Sequence, residues 1–145
     1  MRVTVALTGA VFLVVAGGGS DAKKEMARLE GEWSMVSGEI EGKALPPELV
    51  KDGKRVAKDG EVTITIGGQV FLKAQFTIDP SKKPRTIDYT MTGGFTKGQK
   101  QRGIYDLDGD TVKFCFGSPG KERPTEFTAR PGSGWTLSVW KRDKN

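Results

Sequence analysis

Few residues in this chain could carry chemistry, and their spacing decides most of what they can do. Asp106-x-Asp108-x-Asp110 has the look of a calcium loop. An EF-hand loop needs glycine at its sixth position and glutamate at its twelfth. Counted from Asp106, the glycine is fourth and the twelfth residue is Gly117. Cys115 is the single cysteine, so no intrachain disulfide can form. A nucleophilic thiol needs a neighbouring base or cation, and only Arg102 falls opposite Cys115 in the register set out below. A small outward side chain beside an arginine is the simpler reading. The chain has no histidine, which removes Ser-His-Asp triads, imidazole bases and the commonest zinc ligands together. Glycoside hydrolysis needs two carboxylates converging in a cleft, yet almost every Asp and Glu falls in a turn or on a polar face. The glycine runs at 17–19 and 132–134 do not lie between a strand and a helix, as a phosphate loop requires. The sequence points away from an enzyme and calls for neither a metal nor a cofactor.

The elements that would position these residues are strands. Gly103 to Phe116 reads as a β-hairpin. Asp108-Gly109 suits the two central positions of a type I′ turn, where both residues take positive φ. That placement pairs Leu107 with Asp110, Tyr105 with Val112 and Gly103 with Phe114. Opposed residues share a face, so Tyr105, Leu107, Val112, Phe114 and Phe116 form an apolar face. Ile104, Asp106, Thr111, Lys113 and Cys115 form the other.

The same two-residue alternation runs through most of the chain. Val62, Ile64 and Ile66 are expected inward, as are Val70, Leu72, Ala74, Phe76 and Ile78, then Ile87, Tyr89 and Met91. Phe127 and Ala129 are expected inward on a short strand, and Trp135, Leu137 and Val139 on the last. The first strand, Gly31 to Ile40, alternates imperfectly, and Gly38 is the expected bulge. Residues 23–30 suit a helical lead-in docked by Leu29, and Leu45 to Lys51 a single helical turn. About eight short strands joined by Gly, Pro and Asp turns predict an all-β antiparallel up-and-down barrel wrapped round its own core.

The N-terminus carries a separate signal. Arg2, the apolar run Val3 to Ala16 and the small residues near Ser20-Asp21-Ala22 read as a secretory signal peptide over residues 1–22. Residues 23–145 are then one exported domain, periplasmic or extracellular, with no stable membrane insertion after cleavage. The alternative for the same run is a retained anchor. The net charge of +5 is scattered, unlike the concentrated basic face of a nucleic-acid binder, so nucleic acid is not an expected partner. A monomer is expected.

Several short motifs recur in one order: Leu29-x-Gly31-x-Trp33, Gly42-Lys43-x-Leu45-Pro46, Ile78-Asp79-Pro80, Gly103-Ile104-Tyr105, Leu107-Asp108-Gly109-Asp110 and Arg123-Pro124-x-Glu126-Phe127. With them the chain resembles a family of uncharacterised, lipocalin-like bacterial domains abundant in planctomycetes. The resemblance implies a small antiparallel barrel and frequent export, and it brings no catalytic residues. There is a further likeness to lipocalins proper. It implies that Gly31-x-Trp33 closes one barrel end, with Arg142 from the last strand laid across Trp33 as a cation on an aromatic face.

The inward face carries few polar groups: Tyr89, Tyr105 and Asp110 at a rim. An eight-stranded barrel is either filled by its own side chains or holds one small ligand, and the shortness of the chain favours a filled or narrow lumen. The expected function is binding of a small apolar ligand at one mouth, with Phe76, Tyr89, Tyr105 and Phe114 as the contacts. The alternative is a solid barrel that serves as a structural or protein-interaction module at the cell envelope.

Overall fold

A computed structural model describes residues 21–144. The expected signal peptide lies outside the described residues except for Asp21 and Ala22. A helix, α1, occupies residues 21–29. The strands follow: β1 (Gly31–Ile40), the two-residue β2 (Lys43–Ala44), β3 (Lys54–Lys58), β4 (Glu61–Ile66), β5 (Gln69–Asp79), β6 (Arg85–Met91), β7 (Lys100–Asp108), β8 (Thr111–Phe116) and β9 (Thr136–Arg142). A short helix, α2 (Pro47–Val50), lies between β2 and β3. Its prolines supply the fixed φ that suits a helix start. No helix among the described residues is long and apolar enough to cross a membrane.

Each long strand pairs antiparallel with the next, and β9 returns to pair with β1. The result is a closed eight-stranded up-and-down barrel, lipocalin-like in architecture, with β2 as an extra strand at the end of β1. Closure leaves no unpaired edge among the eight. The core fills the half of the barrel next to α1, where Leu29, Trp33, Ala57, Val62, Phe76, Ile87, Tyr105, Leu107, Val112 and Phe114 are buried. Apart from Leu29, which docks from α1, these form the inward rows that a period of two predicts.

The hairpin of β7 and β8 is present with a shifted register. Leu107 pairs with Val112, Tyr105 with Phe114 and Gly103 with Phe116. The turn residues are therefore Gly109 and Asp110, not Asp108 and Gly109. Only Gly109 takes a positive φ, +62°, which is the demand of a type II′ turn with glycine first. The slip is two residues, so no side chain changes face. It does change neighbours: Cys115 lies opposite Ile104, and Arg102 pairs with Asp88 instead.

Three other expectations are corrected. No strand forms at Glu126 to Arg130; the eighth barrel strand is β3, which carries Arg55 and Ala57 inward. Residues 117–135 pass over the outer face of β7 and β8. There the Cys115 thiol donates to the Thr128 carbonyl at 3.2 Å, Lys113 Nζ lies 4.8 Å from the centre of the Phe127 ring, and Ala129 is buried.

That cover explains the second correction. Thr136, Ser138 and Trp140 pair with Phe116, Phe114 and Val112 and so face inward, while Leu137 and Val139 pair with Cys115 and Lys113 on the covered outer face. The inward positions of β9 thus carry Thr136 and Ser138 beside Trp140, while Leu137 and Val139 are half-buried on the other face, so apolar content does not mark the inner one.

The third concerns bulges. On β1 the register shifts between Met35 and Ser37, at Val36 rather than Gly38. On β5, Phe71 is the extra residue between Thr65↔Val70 and Ile64↔Leu72. Val70, expected inward, is thereby left 58% exposed, next to Phe71 at 62%.

Candidate functional site

The two ends of the barrel differ. At one end α1 forms a plug. Trp33 Nε1 donates to the Leu29 carbonyl at 3.1 Å. Arg142 lies across the Trp33 ring, its Cζ 4.3 Å from the ring centre. Its Nη2 and Nη1 donate to the carbonyls of Arg28 (2.6 Å) and Glu30 (3.0 Å). A cation here satisfies carbonyls that the helix end leaves free. Gly31, at φ +114°, makes the abrupt turn from helix to strand beside the Arg142 guanidinium. The trio Gly31, Trp33 and Arg142 is therefore one contact set at the closed end.

Glu25 of α1 is buried beneath the same plug. It accepts from Arg85 Nη1 at 2.7 Å, from Arg28 Nη1 at 3.3 Å and from the Tyr105 hydroxyl at 3.0 Å. Burial, and then the hydrogen bond and charge of Glu25, push the Tyr105 phenol well above its ordinary range. Tyr105 is committed to this plug and does not line a cavity in the lumen. Asp110 holds Arg142 at 3.2 Å, and Asp106 holds Arg85 at 3.0 Å. Asp106 and Asp110 of the hairpin are thus partners of the closed end. Arg123 pairs with Asp88 at 2.7 Å and donates to the Gly103 carbonyl at 2.9 Å, tying the outer connection to β6 and β7. Cys115 lies buried beneath that connection, and burial raises its thiol pKa.

The other end is open. A cavity of about 800 Å³ enters the lumen between the β4–β5 turn, the β6–β7 connection and the loops that follow β1 and β8. Its wall is largely apolar and includes Met35, Ile64, Leu72, Met91, Phe116 and Trp140. Ile40, Val70, Phe71 and Phe95 stand exposed where it opens. An exposed apolar cluster round a concave site is the usual mark of a binding surface. The half of the lumen next to this mouth is open, in contrast to the filled or narrow lumen expected from chain length. Of the four expected contacts, Tyr89 and Phe114 line the cavity, while Phe76 and Tyr105 lie in the packed half.

Sequence reasoning missed the most unusual residue. Arg55 on β3 points into the lumen and is 0% exposed. Its Nη2 donates to the Tyr89 hydroxyl at 3.1 Å, and its Cζ lies 4.5 Å from the centre of the Phe114 ring and 5.6 Å from that of Phe76. It sits one side-chain layer behind Tyr89 and Phe114 at the base of the cavity. The inward face therefore carries a full charge, contrary to its expected lack of reactive polar groups. The missed signals were local: an arginine at an inward position hides a strand, and three consecutive apolar residues, Val70-Phe71-Leu72, announce a bulge. No protein-family model, curated protein or solved structure matches the chain.

Proposed function

We propose that the protein is an exported binding module whose barrel takes a small apolar ligand through its open mouth. The supporting observation is the cavity of about 800 Å³, within the range usual for small-molecule sites. One end is sealed by α1 and Arg142, and the other is ringed by exposed Val70, Phe71 and Phe95. Water in such a cavity has few polar partners, and replacing it with hydrocarbon gains roughly 25 cal/mol for each Å² of apolar surface covered. A solid structural module needs a filled lumen, so the same cavity weighs against that alternative. Native mass spectrometry of the protein purified from its own host tests the proposal. A ligand-bearing mass is expected, or uptake of fatty acids and hydrophobic dyes by the empty protein. A strictly ligand-free mass with no uptake overturns it.

A further inference from the structure

Among the described residues Arg55 has no countercharge: Nε and Nη1 are buried with no hydrogen-bond partner there, and no carboxylate there forms an ion pair with it. The other arginines that anchor the barrel are all paired: Arg85 with Glu25 and Asp106, Arg123 with Asp88, Arg142 with Asp110. A guanidinium keeps its charge in proteins, and a buried charge is costly unless it is paired and hydrogen-bonded. The Tyr89 hydroxyl and the faces of Phe114 and Phe76 soften that cost. They supply no negative charge.

We infer that Arg55 and Tyr89 form the headgroup site for an amphipathic anion of the long-chain carboxylate class, with its hydrocarbon tail in the cavity above. This rests on the reading of that cavity as a ligand site and names the chemistry of what enters it. A carboxylate accepts two short N–H bonds from a guanidinium and a third from a phenol. Tyr89 and Phe114 touch both the cavity and Arg55, so a side-chain adjustment at either one admits the headgroup, a common scale of change on binding. The net charge of +5 favours approach of an anion.

The test is displacement of Nile red, a neutral dye, from the full chain by dodecanoate and by dodecanol, which share a tail and differ in charge. In the wild type, dodecanoate should displace the dye at a concentration about tenfold or more below that of dodecanol, the ratio expected of a charged hydrogen bond. Arg55→Met should abolish the preference and keep dye and dodecanol binding. Its ligand-free melting temperature should equal or exceed that of the wild type, because an unpaired buried charge is gone. A purely structural arginine would instead lower it. Tyr89→Phe should weaken dodecanoate severalfold and leave dodecanol unchanged. Equal affinities in the wild type, or a preference that survives Arg55→Met, overturn the inference while leaving the cavity a ligand site. Failure of the wild type to bind Nile red, dodecanoate or dodecanol overturns both. If Arg55→Met does not fold, the wild-type comparison and Tyr89→Phe decide the question.

Discussion

At the scale of single residues, two arginines flank Trp33 across the strands: Arg55 on β3 and Arg142 on β9. They do opposite work. Arg142 is one-third exposed or less, is paired with Asp110, and caps the end of α1 through two carbonyls. Removing it leaves those carbonyls and the Trp33 face without a partner. Arg142→Ala should cost about 1–3 kcal/mol, read as a melting temperature several degrees lower, with Arg142→Lys between the two.

Tyr105 makes the closed end sensitive to pH. Its phenol is held neutral by burial and by Glu25, so its folded pKa lies above the unfolded value of about 10. Its contribution is complete below that unfolded value and is lost as pH rises toward the folded one. Above about pH 10 the unfolded chain releases a proton that the folded chain keeps, so stability falls by up to about 1.4 kcal/mol per pH unit. Tyr105→Phe should flatten this alkaline loss in urea melts taken across that range. An unchanged slope would show that other groups govern it.

At the scale of elements, two glycines of one hairpin are needed for opposite reasons. Gly109 has open space around it but a φ of +62°. Gly109→Val therefore meets backbone strain alone, about 1–2 kcal/mol. Gly103 has no such φ, but a Cβ there would lie 2.5 Å from the Phe116 ring and 2.8 Å from the Cys115 carbonyl oxygen. Overpacking of that kind costs about 1–3 kcal/mol or more, so even Gly103→Ala should destabilise at least as much as Gly109→Val. Chemical denaturation of the two variants checks the order. The strand β3 carries the other lesson at this scale. It is held by β1 and β4 rather than by its own pattern, because Arg55 takes an inward position and Val56 an exposed one. A break in local consistency at one strand is where a functional position is most expected.

At the scale of the whole molecule, the barrel has a packed half for stability and an empty half for binding. The divide lies near Arg55, with Phe76 and Tyr105 in the packed half and Met91 and Trp140 on the cavity wall. Filling the empty half should separate the two properties. Leu72→Trp adds bulk to the cavity wall beside the open mouth. It should cut Nile red binding by about tenfold or more while the melting temperature stays within a few degrees, since a void accepts the ring without overpacking. Binding that persists at wild-type strength would move the site elsewhere.

From the sequence alone came the antiparallel barrel, the eight-strand count, α1 and α2, and the inward rows of β4, β6, β7 and most of β5. These follow from a period of two and from turn residues, which are local properties of the chain. The Trp33–Arg142 contact was legible too, because it joins the first strand to the last across a closure that the resemblance implied. The tertiary structure alone decided the identity of the eighth strand, the inner face of β9 and the openness of the lumen. Each depends on what lies far along the chain: residues 117–135 cover the outer side of β7 and β8, and the bulge at Phe71 leaves Val70 and Phe71 exposed at the mouth. Arg55 belongs with these. Alternation assigns a charge to solvent, and only the neighbours on β1 and β4 hold this one inside.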